Sequence, residues 1–423
     1  MSATAQEPLN VQLKQQALAL ARAGLREDAL QPVRRDALAL LEHTEFPDKR
    51  TEQWKYTSLQ ALTAGHLSRV ARATEAPLPA PLATHRLVLI NGHYQPALSQ
   101  LPDNITLTRF DGSSALSAET ASDTLRTPFA WLNNATLHDG LQLSIADDTV
   151  IEAPVEVLLL ATDDAPSHCQ TRLRVQLGRH SRATIIERYA AIGPVLTNAV
   201  TELVAGAGSQ LTHYRLQAEH PESLHIGTLV IAPGRDSNVQ SFQLMQGNVL
   251  RRNDVRAIMA ESGASLTMSG IFVGRGNSHI DNQITVEHRV PHCHSEQLFK
   301  GMAGDTARLV FNGRIHIFEG AKGTNAELSN KNLLLTPGAE VDTKPELEIY
   351  NDDVKCSHGT TCGQLDAQSL FYLRSRGIEA AEAKRMLGFG FVNELLSALP
   401  DQAVAEWARP WLEQALTEAE PAK

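Results

Sequence analysis

The chain has 423 residues, 42% of them hydrophobic, with a formal net charge of −10 and a pI near 5.9. That length and apolar content suffice for one large core or for two to three domains. An acidic balance of this size excludes nucleic acid or an anionic membrane as the main partner, because both select basic surfaces. Residues Met1 to Asn10 lack a basic stretch followed by an apolar one, and aliphatic runs such as Val155–Ala161 are far too short to cross a membrane. With only four cysteines, the expectation is a cytoplasmic protein with reduced thiols.

From about Leu9 to Leu62 the pattern is helical: Leu13, Ala17, Leu20 and Leu25, then Ala37, Leu40 and Leu41, separated by charged and polar residues. Trp54 and Tyr56 within Glu52-Gln-Trp-Lys-Tyr-Thr57 read as apolar anchors. Ala76-Pro-Leu-Pro-Ala-Pro81 places three prolines in six residues and marks a boundary. Beyond it Leu87–Ile90 runs into Asn91-Gly92, a hairpin-type turn. A short helix is expected over Phe129–Asn134, and strands over Leu141–Ile145 and Val155–Leu160, with irregular early laps.

The stretch from Thr171 to about Val290 repeats. Turn signals end at Ser181, Ser209, Ser237 and Ser265, each 28 residues after the last. A fixed period of this size without insertion marks a solenoid. Six residues before the serines stand Val175, Leu203, Ile231 and Met259, and five after the first three stand Ile186, Tyr214 and Phe242. Recurrent apolar columns of this kind are expected to stack into a continuous interior. The segments between turns are short and rich in β-branched residues, so each lap holds about two strands and the solenoid is of the β type. An antiparallel sandwich with even hairpins is the alternative.

A strict count puts the next corner at Cys293, inside His288…His292-Cys293-His294. Imidazole and thiolate are good metal ligands, but neighbours in a surface turn point apart, so a turn is the expectation. Strands continue through Ala307–Phe318, Leu333–Leu335 and Glu346–Ile349. From Asp366 helices return: Leu370, Phe371 and Leu373 precede a stop at Gly377, then Leu387, Phe391, Leu395 and Leu399 recur every four residues, and a last helix carries Trp407 and Trp411. The division expected is 1–80 helical region and linker, 81–365 solenoid core, 366–423 helical region.

Chemistry concentrates in Tyr350-Asn-Asp-Asp-Val-Lys-Cys-Ser-His-Gly359. If this run is extended, Cys356 and His358 leave on the same face, and a nearby cation such as Lys355 lowers the thiol pKa. One Cys and one His cannot complete a tetrahedral site, so further ligands would come from a second chain. A buried Cys with a hydrogen-bonded His is the plainer reading. No phosphate-loop, zinc-protease or nucleophile-elbow motif occurs; Gly320-Ala-Lys-Gly-Thr324 lacks the spacing. Asp147/Asp148 and Asp352/Asp353 could suggest a solenoid carbohydrate-active enzyme, though adjacent aspartates on a strand face opposite ways.

Leu333-Leu-Leu335, Glu340–Tyr350, Asp352–Gly359 and Phe371-Tyr-Leu-Arg-Ser-Arg-Gly-Ile378, with Ser295–Lys300, Phe311-Asn-Gly-Arg314 and Glu52–Thr57, resemble the SufB/SufD family, on its SufD side. Leu328 and Cys362 depart from the family pattern, the second adding a thiol near the site. The resemblance implies a right-handed parallel β-helix flanked by helices, in a complex with SufB and the ATPase SufC that assembles iron–sulfur clusters. In that picture this chain is a non-catalytic scaffold that binds no nucleotide. His358 and Cys356 would meet a transient cluster or iron shared with SufB, at the end of the β-helix. The C-terminal helices, with Phe371, Tyr372, Arg374, Arg376, Leu387 and Phe391, would dock SufC. A homodimer of the isolated chain is a further expectation, and a purely structural adaptor is the alternative without metal chemistry.

Overall fold

The computed structural model describes residues 7–71, 75–113 and 125–416. Its centre is a two-sheet parallel solenoid. One sheet stacks eight parallel strands from Val155–Thr162 to Lys355–Gln364, and the other eight from Leu141–Ile145 to Glu340–Ile349, with successive strands of the chain alternating between sheets. Odd and even strands therefore form the two walls of each lap, and inward side chains from both walls fill one elongated core from Leu87 to Ala339. Before the first full laps the pattern is irregular. His85–Ile90 turns through Asn91 and Gly92, both at positive φ, into the two-residue antiparallel strand His93–Tyr94, and Ile105–Arg109 pairs antiparallel with Leu141–Ile145.

The corner serines have a shared purpose. Ser181, Ser209 and Ser237 each donate their hydroxyl to the carbonyl three residues back, at 2.7–2.8 Å, closing the turn. The register then departs from the 28-residue count. Asn238, which follows Ser237, pairs with Ser265, so Ser265 is the first residue of its strand and Ala264 takes the corner. The following lap restores the lost residue: Ser265 pairs with His294, and the corner falls on Cys293, where the strict count placed it. A short lap and a long one cancel.

The columns are also sorted by the register. Val175, Leu203 and Ile231 do align and lie in the lumen, but Ala257 continues them in place of Met259. Ile186, Tyr214 and Phe242 align too, yet face outward. They are buried because helices α5 (Ala380–Ser397) and α6 (Gln402–Leu416) lie on them, through Val392, Leu395, Leu396 and Leu412. An apolar column reports burial; it does not say whether the cover is another wall or a helix.

The N-terminal helices α1 (Leu9–Ala23) and α2 (Gln31–His43) and the short α3 (Pro128–Ala135) share a second apolar cluster on the outer face of the other sheet. Trp54 is the anchor the sequence suggested: its ring stacks on Phe129, and the Arg252 guanidinium lies 4.0 Å from its centroid. Asn133 of α3 donates to the carbonyls of Thr171 and Asn198, both at 2.9 Å, which ties the helix to two successive rungs. Among the described residues no helix is long and apolar enough to cross a membrane.

Candidate functional site at the open end of the solenoid

The last lap consists of Glu340–Ile349 and Lys355–Gln364, and among the described residues no further strand covers either. In parallel pairing the N–H and C=O of one residue turn toward the same neighbour, and the next residue turns the other way. The Lys355 N–H donates back to Thr324, and those of Glu340 and Tyr350 to Ala307 and Ile317. Cys356, His358, Thr360 and Cys362 therefore present their backbone groups outward, as do Val341, Thr343, Leu347 and Ile349. At Pro345 the second strand has no N–H to offer. The end is a pair of open ladders, one interrupted.

Cys356 and His358 are on one face of the final strand. They register with Ala326 and Leu328, both buried in the lumen, so they cap the core as its last inward residues. Cys356 is half-buried and His358 exposed. Leu328, buried one rung below, puts an apolar seat beneath His358. Burial pushes the Cys356 thiol above its usual range. The expected lowering by Lys355 does not occur, because Lys355 is one residue away on the strand and leaves on the opposite face. Cys362 shares the inward face, but six residues at ~3.3 Å each put it roughly 20 Å along the strand, too far to join Cys356. Its thiol is also raised by burial.

The other sequence candidates are dispersed. His288 is buried, sharing a hydrogen bond with Ser295 Oγ at 2.9 Å, while Cys293 Sγ donates to the Glu261 carbonyl at 3.3 Å. His292 takes a positive φ in the turn, and His294 opens the next strand. Among the described residues no three His, Cys, Asp or Glu side chains are grouped to hold a metal ion. Asp352 and Asp353 lie exposed in the turn before the final strand, and Asp353 pairs with Lys322 at 3.4 Å.

On α4 (Ala367–Ser375), capped by Asp366, no residue is buried; Phe371 is 74% and Tyr372 57% exposed, and the Arg376 guanidinium lies over the Tyr372 ring. Arg374 is exposed as well. Leu387 and Phe391 belong to α5 and are half-buried; the buried line of that helix is Gly388, Val392, Leu395 and Leu396. Lys300 holds α5 to the sheet by donating to the Phe391 carbonyl and to Glu394.

What the sequence reading missed is a charged lattice inside the middle laps. Glu187 accepts from Tyr189 at 2.6 Å and from Thr201, shares a hydrogen bond with His213 at 3.0 Å, and has Arg215 at 3.7 Å. Glu219 pairs with His225 and with Arg251 at 2.7 Å. All of these side chains are fully buried. Burial alone would raise the two carboxyls, yet Arg215 with His213, and His225 with Arg251, bring each down to about 2. The signal was available in His213 and Arg215, two apart on one strand and so on the face that Leu211 turns into the lumen.

A sequence profile described as the SufBD core domain of SUF system FeS cluster assembly matches residues 159–391. A SufBD family iron–sulfur cluster assembly protein of Synechocystis is 32% identical over 414 residues, 92% of this chain and 91% of that protein. SufD of Escherichia coli is 32% identical over 396 residues, 89% and 90% of the two chains. This chain belongs to the SufB/SufD family. SufD of Bacillus subtilis, at 26% identity over 279 residues, is similar across a shorter span. Family membership makes iron–sulfur cluster assembly the setting in which the open end is to be understood.

Proposed function

We propose that this chain is a non-catalytic cytoplasmic scaffold of a SUF complex, whose open solenoid end meets a SufB-type subunit and shares a nascent cluster with it. The observation that carries the reading is the termination of the lumen at Cys356 and His358. These are two good ligands for iron on an uncovered rung, with backbone ladders ready for another chain. Two donors leave a tetrahedral iron incomplete, and a facing subunit supplies the rest. The cluster is cargo here, passed on once complete. The half-buried thiol must lose its proton on binding, a step that an incoming cation assists. The exposed aromatic face of α4, with Phe371, Tyr372, Arg374 and Arg376, and the half-buried Leu387 and Phe391 beside it, form the dock for a SufC-type ATPase. The same division gives 1–80 and 366–423 as flanking regions around an 81–365 core.

The test is His358→Ala in the reconstituted complex with iron and sulfide, followed by visible absorption. Cluster yield falls to background while the complex elutes intact. An unchanged yield removes the ligand role and leaves a structural adaptor.

A further inference from the structure

The strand Glu340–Ile349 ends its sheet, and among the described residues it has a single neighbour there, Arg308–Ile317. A strand paired along one edge opens more readily than one paired along both. Besides the backbone ladder, a row of outward side chains holds it. Asp342 pairs with Arg308 at 2.8 Å, Glu346 accepts from Asn312 at 3.2 Å and Glu348 pairs with Arg314 at 2.5 Å, each reaching back one rung. Lys344 is the exception. It registers with Asn312, which carries no charge and turns to Glu346 instead. Lys344 pairs with Glu346 on its own strand and with Glu52, 292 residues earlier in the chain.

The residues that follow Glu52 hold it in place. Trp54 is buried against Phe129 and Arg252, and the Gln53 carbonyl accepts from Arg252 at 2.8 Å. Thr57, also buried, donates to Asp281 at 2.5 Å and shares a hydrogen bond with His279 at 3.0 Å. Between these anchors the Tyr56 ring lies under the Arg308 guanidinium, 5.6 Å from it, and Arg308 in turn holds Asp342. Arg252, Asp281, Arg308 and Lys344 belong to four successive strands of the sheet. Six residues thus cross four rungs. They reach the terminal strand twice, through Glu52–Lys344 and through Tyr56–Arg308–Asp342.

We propose that Glu52–Thr57 is a strap by which the N-terminal region keeps the terminal strand ordered, so that its seating sets how readily the open end takes a partner. The second clause rests on the stacking proposed above; the first stands without it. Burial divides the strap into fixed and reaching parts. Trp54 and Thr57 are buried and anchor it, whereas Glu52 is exposed and Tyr56 half-buried, so the reaching contacts release without unseating the anchors. A strand already ordered binds more tightly than one that must be ordered on binding.

The experiment is hydrogen–deuterium exchange of the isolated full chain, read by mass spectrometry, in the parent and in the double variant Glu52→Gln/Tyr56→Ala. Exposed ion pairs and cation–π contacts are individually weak, so protection over 340–349 falls about fivefold, with 210–217 on an inner lap unchanged. Tyr56→Phe alone, which keeps the ring beneath Arg308, exchanges like the parent. Equal protection over 340–349 in parent and double variant overturns the strap, as does a fall spread evenly over both segments. Affinity for a SufB-type subunit is measured separately and drops about fivefold in the double variant. Parent-like affinity beside lowered protection overturns the control of the open end. A parent chain that does not bind that subunit overturns the stacking, and the exchange result stands on its own.

Discussion

The laps around Glu187 and Glu219 and the lap that carries Cys356 share one backbone plan and use their inward positions in opposite ways. In the middle, ionisable side chains at those positions are matched among themselves: Glu187 by Arg215 and His213, Glu219 by Arg251 and His225. At the end, Cys356 and His358 occupy equivalent inward positions on a rung that, among the described residues, no later strand covers. A polar group in a solenoid interior is structural when the next rung answers it and available when there is no next rung. Burial, more than residue type, separates the two regions.

The sharpest way to break this contrast is to remove one member of the matched set. Glu187→Ala leaves Arg215 buried without its counter-charge and costs about 3–5 kcal/mol, read as a lowered urea midpoint. His358→Ala, at the open end, leaves that midpoint in place. Glycines give a second comparison. A Cβ on Gly227 would meet His225 Nε2 at 2.7 Å and Arg215 Nη2 at 2.8 Å, whereas one on Gly359 meets nothing within 4 Å. Gly227→Ala therefore destabilises by up to about 3 kcal/mol, and Gly359→Ala leaves the melting temperature close to that of the parent.

Acid sharpens the contrast from another side. Burial holds His138 down at about 4 and His168 at about 3, beneath the N-terminal cover. A histidine depressed in the fold is neutral there and takes up a proton on unfolding. Its contribution is therefore complete above about pH 6.5 and is lost as pH falls toward the folded value. Between pH 7 and 5 the His138 contribution alone drops by roughly 2 kcal/mol. Thermal melts show the same fall in the His358→Ala variant, since the loss belongs to the covered laps. The smallest effect is chemical: Cys356 and Cys362 react with a maleimide in the native protein, and the buried Cys169 and Cys293 react only after unfolding.

Much of this architecture was legible before any coordinates. The spacing of Ser181, Ser209 and Ser237 follows from a hydroxyl that closes each corner, and a constant lap length is what stacked rungs demand. The reading slipped at Ser265, because a lap one residue shorter is compensated by a longer one. Counting alone cannot see a pair of errors that cancel. Ile186, Tyr214 and Phe242 were legible as buried but not as outward, since the covering helices lie some two hundred residues further along the chain. The expected activation of Cys356 by Lys355 failed for a simpler reason: neighbours on a strand face apart.

The two ends of the solenoid also differ in what they allow. One is closed by short antiparallel pieces, the two-residue strand His93–Tyr94 and the five-residue strand Ile105–Arg109. The other exposes full-length parallel strands with a proline in only one of them. Short edges make poor templates for strand addition, whereas long open ones invite it. On the proposed reading, end-to-end association uses the one terminus that, among the described residues, keeps long open strands, and it stops at two bodies. A solenoid with long open strands at both ends would grow into fibres, whereas long open strands at one end limit such growth to pairs.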